Sequence, residues 1–240
     1  MSGETLTKTI TQHTKELDTE TLSFLYGIAK DYAKVKNVVY ERYSGIRHVN
    51  SLTPVYSILN EMRACGLREQ LNLPAVYYEL AVADAVTDIK TNWAVLKRNM
   101  NGLVTANENL SADEKMYIRT VLKINSTFSA VLNREFCKLP DKVKGLSIDT
   151  GRLDNRIRRM VRKYLAKPRT ECSLLFKVSP NGYRYGDGGI YLVSRTPRHR
   201  IFVPLKNNEQ YDRQILFTIG ESGATLHIPV ETKIKKHTDY

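Results

Sequence analysis

The chain has 240 residues, of which 42% are apolar, with a net charge of +12 and a pI near 9.5. That is enough for one large domain or two small ones around a buried core, and the excess of cations favours a polyanionic partner such as RNA or DNA. No secretory leader stands near Met1 and no apolar run is long enough to span a bilayer, so the expectation is a cytoplasmic protein with no membrane partner.

Residues 5–11, TLTKTIT, are β-prone and partly alternating, which predicts a first strand. Asp18 stands as a cap before the next element, although the third position after it is Thr21 rather than Glu. From Thr19 to Tyr43 apolar residues such as Leu22, Leu25, Ala29, Ala33, Val39 and Tyr43 recur at helical spacing, and Ser44-Gly45 ends the run. Ser51 to Leu71 predicts a second helix with a break at Gly66. Pro74 suits the first turn of a third, VYYELAVADAVTDIKTNWAVLKRNM. Ser111 and Glu114 form a capping box that opens a fourth helix, running to about Cys137. A basic helix closes this block and Pro168 stops it.

Beyond Pro168 the pattern changes. SLLFKV, IYLVS, RIFVPL, RQILFTI and ATLHIPV are short and β-rich, and turn signals separate them; Glu221-Ser222-Gly223 marks a hairpin. One strand, a block of helices and then a run of strands predicts an α+β fold. The expected organisation is a first strand in 1–17, a helical lobe in 18–168 and an antiparallel β part in 169–240.

The basic helix carries the strongest chemical signal. RLDNRIRRMVRKYLAKPR, residues 152–169, holds eight Arg or Lys and one Asp. Helical spacing puts Leu153, Ile157, Met160 and Tyr164 on one side and Arg152, Arg156, Arg159 and Lys163 on a neighbouring side. Arg158, Arg162 and Lys167 widen the cationic side, and Arg169 follows the proline. Like charges at these spacings repel in a free helix, so stability alone does not account for them. A phosphate backbone relieves the repulsion, and the predominance of Arg suits bidentate contact with phosphate. Lys138, Lys142 and Lys144 extend the positive field. A second basic loop, SRTPRHR, adds Arg195, Arg198 and Arg200.

Other motifs are weaker. LSIDTG, 146–151, places Asp149 after a short apolar run, as in the first carboxylate motif of RNase H-like nucleases, but the run is too short and no strand–hairpin succession follows it, so Asp149 reads as the N-cap or loop acid before the basic helix. GYRYGDGG, 182–189, reads as a hairpin loop in which Tyr183 and Tyr185 alternate with Arg184, an arrangement that suits either base stacking or core filling. Cys65, Cys137 and Cys172 show no CxxC spacing, and the five histidines show no metal spacing, so neither a metal nor a cofactor is expected. Three functions compete: nucleic-acid binding, a metal-dependent nuclease using Asp149, and a protein- or anionic-membrane-surface module built on the basic helix.

Two segments resemble a known family. LPAVYYELAVADAVTDIKTNWAVLKR, 73–98, is similar to a helix of the TnpB proteins in which a Pro or Asp precedes a run ending in D/E-x-A-[FY]-K-x-F-F; Thr87-Asp88-Ile89-Lys90-Thr91-Asn92-Trp93 stands at that end here. The β-rich stretch 173–205 is similar to the one that follows the basic segment of TnpB, and the order of elements agrees. TnpB proteins are transposon-encoded, RNA-guided DNA endonucleases related to type V CRISPR effectors. The resemblance implies a helical recognition (REC) lobe inserted in a small antiparallel OB-like wedge (WED) barrel that grips a guide RNA and reads the duplex beside a DNA target. By position, the duplex readers are Thr53, Tyr56, Ala75 and Glu79, with Tyr77 and Tyr78 as neighbours able to take over. The family usually has Lys and Gln where this chain has Ala75 and Glu79. Ala75 cannot hydrogen-bond a base edge and Glu79 only accepts, for example from cytosine. In the family a RuvC nuclease domain follows the barrel. No residue of 1–240 corresponds to it, so the expectation is a chain that binds without cutting, with a separately encoded RuvC domain as one partner.

Overall fold

In the computed structural model, which describes residues 5–52, 54–136, 138–170, 174–207 and 209–233, the chain leaves its first strand and enters its first helix at Asp18. The Asp18 carboxylate accepts the Thr21 N–H at 2.6 Å, and this bond holds the carboxyl below its ordinary range. In chain order the elements are β1 (Thr5–His13), α1 (Thr19–Tyr43), α2 (Val55–Ala64), α3 (Leu67–Leu71), α4 (Ala75–Ala106), α5 (Ala112–Lys123), α6 (Asn125–Asn133), α7 (Asp141–Lys144) and α8 (Thr150–Tyr164). Six strands follow: β2 (Leu175–Val178), β3 (Tyr183–Gly186), β4 (Gly189–Val193), β5 (Arg200–Pro204), β6 (Ile215–Ile219) and β7 (Ala224–Lys233). The class is α+β, and all strand pairing is antiparallel. The described residues fall into two compact units, one from 1–36, 62–82 and 170–240, the other from 37–61 and 83–169.

The first unit holds the strands. β1 pairs with β7 from Thr5↔Lys233 to His13↔Thr225, so the strand predicted at the start of the chain is an edge of a sheet built from its end. The order in that sheet is β1-β7-β6-β2, and β3-β4-β5 form a second sheet. One bridge, Thr14↔Leu205, links the two. A closed barrel is therefore not formed. No ladder joins β2 to β3, because the chain between them turns through a 3₁₀ turn at Pro180–Gly182. Alternation along the strands builds the core: Ile215, Phe217 and Ile219 are buried on β6, and Phe176 and Val178 on β2. Phe176 and Phe217 are cross-strand partners with rings stacked at 4.9 Å. YRYG proves to be a strand, turned by Asp187 and Gly188, both at positive φ, into β4. Tyr77, from the first turn of α4, packs edge-on to Phe176 and donates to the Val193 carbonyl at 2.9 Å.

The second unit is helical. Val86, Ile89, Trp93, Leu96, Met100 and Val104 form the buried stripe of α4. The spacing of four from Leu96 through Met100 to Val104 carries α4 past Gly102 to Ala106, six residues beyond the predicted end. The predicted fourth helix is two helices. Ile124 adopts extended backbone between α5 and α6, and Asn125-Ser126-Thr127 restart the chain with low helix propensity. Trp93 meets Phe128 of α6 edge-on at 6.0 Å. The predicted break at Gly66 is present, with φ 71°.

Candidate nucleic-acid interface

α8 starts where Asp149 accepts the Arg152 N–H at 2.9 Å. Its buried face is Leu153, Ile157 and Val161, which lie against α5 and α6. Burial of each contributes on the order of 2 kcal/mol. The predicted face shifts by one residue at its end: Met160 is half-buried and Tyr164, the last helical residue, is exposed. The helix ends at Tyr164, four residues before Pro168. Asn92 of α4 donates its side-chain amide to the Ala166 carbonyl at 2.6 Å and holds that segment out of helical geometry. Lys167 and Arg169 are therefore exposed on a non-helical tail rather than on the helix.

The cations of α8 divide by partner. Arg152 pairs with Glu114, whose carboxylate also closes the capping box at Ser111. Arg158 donates to the Val131 carbonyl at 2.9 Å, in the last turn of α6, and to Asn155 at 3.1 Å. Both are structural contacts. Arg156, Arg159 and Arg162 make no hydrogen bond or ion pair among the described residues, and the Lys163 ammonium lies 5.2 Å from the Tyr164 ring centroid. Arg159, Arg162 and Lys163 are exposed and Arg156 half-buried. The acid of this helix, Asp154, accepts from Tyr117 at 2.8 Å, and burial pushes its carboxyl above the ordinary range. A groove of 310 Å³ runs beside α8, with Arg156, Arg159 and Lys163 on its wall together with Leu103, Met160 and Tyr164. Leu103 lies beyond the predicted end of the helix at Met100; the spacing of Met100 and Val104 was the available signal.

The second basic loop belongs to the first unit, and its three arginines differ. Arg195 turns inward, donating to Asp31 at 2.7 Å and to the Leu71 carbonyl at 2.6 Å. Arg200 donates to the Tyr191 carbonyl at 3.2 Å. Arg198 is exposed, at φ 62°. Of the duplex-reading positions, Tyr78 is fully buried and donates to the Met62 carbonyl at 2.5 Å, so it presents nothing to a base edge. Glu79 pairs with Arg63, Ala75 is half-buried in the first turn of α4, and Tyr56, in the second unit, is exposed. Thr53 lies outside the described residues. Tyr183 is buried in the core, donating to the Tyr211 or Arg213 carbonyl, and Tyr185 is half-buried and packs edge-on to it at 5.5 Å, with burial pushing its hydroxyl up to about 12.

Among the described residues no three His, Cys, Asp or Glu side chains converge as a metal-ligand set, and no helix is long and apolar enough to cross a membrane. No family model matches this chain, and no curated protein matches it.

Proposed function

We propose that this chain is the RNA-gripping half of a TnpB-like, RNA-guided system, binding guide RNA and the duplex beside a DNA target, with cleavage left to a RuvC domain outside residues 1–240. The observation that carries the proposal is the run of Arg156, Arg159, Arg162 and Lys163 along α8, unpaired by any acid among the described residues. Folding gains nothing from such a cluster, since like charges one turn apart repel. A sugar–phosphate backbone supplies the missing counter-charge and releases its own counterions. The pairing of β1 with β7 around a helical block also agrees with a lobe inserted in a β domain.

The test is a salt titration of binding to a structured RNA. Neutralising four phosphates gives a log–log slope of about −3, and removing Arg159 and Arg162 as glutamines reduces it by roughly 1.5. Affinity that does not change between about 50 and 200 mM salt defeats the proposal. So does a preference for anionic vesicles over any oligonucleotide.

A further inference from the structure

We infer that the groove beside α8 takes an unpaired stretch of the nucleic acid and stacks one of its bases on Tyr164. This rests on the proposal that α8 binds a polynucleotide, and goes beyond it by naming the form of strand. Three cations, Arg156, Arg159 and Lys163, stand on the groove wall, but the surface among them is apolar. Leu103 is 44% exposed and Tyr164 43%, with Met160 alongside. A face built only for the backbone of a duplex has no use for this surface. The bases of a duplex are stacked inside, and phosphate and ribose laid over Leu103 and Met160 bury little that is apolar. A single strand can rotate a base away from its neighbours and lay it on an aromatic ring while its phosphates stay on the cations. The Lys163 ammonium near the Tyr164 ring puts the two contacts within one nucleotide of each other. Asn107, at the same groove, accepts the Asn109 N–H on its Oδ1 at 3.0 Å, which leaves its amide NH2 to donate to a base edge. Among the described residues no acid lines the groove to oppose the strand.

The experiment uses the whole chain and a labelled single-stranded RNA dodecamer, the same RNA annealed to its complement, and the strand carrying abasic sites. Fluorescence anisotropy is expected to show tighter binding of the intact single strand than of either competitor. Tyr164→Ala is expected to weaken single-strand binding about tenfold or more and Tyr164→Phe to leave it unchanged, because stacking needs the ring and not the hydroxyl. Thermal melts are the control, and both variants are expected to melt like the parent because Tyr164 is an exposed last-turn residue. Equal binding of strand and duplex, indifference to abasic sites, or a Tyr164→Ala variant that binds like the parent overturns the inference. If Arg159→Gln still weakens binding in that case, the wider proposal stands without it; if nothing binds, both fall. Tighter binding of an acidic amphipathic peptide than of any oligonucleotide overturns both as well.

Discussion

Arg159 and Arg195 show how one residue type serves two ends. Arg159 is exposed with no partner among the described residues, whereas Arg195 is anchored to the Asp31 carboxylate and the Leu71 carbonyl with its side chain 28% exposed. Replacing Arg195 with Leu removes the counter-charge of an acid that is itself only 12% exposed and leaves a carbonyl without its donor. Lys34, 3.0 Å from the other Asp31 oxygen, keeps part of the compensation. The expected cost is about 2–3 kcal/mol, toward the low side for a broken buried pair, seen as a fall of roughly 5–10 °C in the melting midpoint. Arg159→Gln is expected to melt like the parent and to lose affinity for RNA. If thermal melts and binding assays gave the reverse pattern, the assignment of one arginine to the fold and the other to a ligand would be wrong.

At the scale of the element, α8 depends on its cap. Asp149 satisfies the Arg152 N–H and sets a negative charge at the positive end of the helix. Asp149→Ala is expected to cost about 1 kcal/mol and Asp149→Asn much less, since Asn caps nearly as well. Denaturant unfolding of the two variants checks this. The Asp149 cap was legible from sequence, as were the Ser111–Glu114 box, the Gly66 break and the Glu221-Ser222-Gly223 hairpin, because each depends on residues within a few positions of one another. What escaped depends on tertiary partners. Val161 rather than Met160 completes the buried face because α5 and α6 cover that side. Helix α8 ends early because Asn92, 74 residues away in sequence, holds the Ala166 carbonyl. The inward turn of Arg195 needs Asp31, which lies 164 residues distant, and no local pattern announces it. The cationic strip itself was legible because its charge density is a property of the segment alone; which of its members are already paired was not.

At the scale of the whole molecule, the chain order conceals how the units are built. Residues 152–169 carry eight cations against one acid, more than half of the net +12, so most of the excess positive charge is concentrated in one segment of the second unit. The boundaries the sequence suggests do not coincide with those of the unit that holds this segment. Residues 18–168 look like a self-contained helical lobe, yet the first parts of α1 and α4 belong to the unit that holds the strands. Tyr77 finds its ring contact in Phe176 and its hydrogen-bond acceptor in Val193, both beyond residue 168. Leu25, Ile28 and Tyr32 of α1 are buried in the same unit. A fragment of 18–168 retains these side chains and loses the strands, leaving large apolar surface in water. The expected outcome is a fragment that keeps helical circular dichroism, binds a hydrophobic dye and unfolds without a sharp transition, while the full chain binds little dye and melts cooperatively. A fragment that melts as sharply as the full chain and ignores the dye would mean that the helical block folds alone.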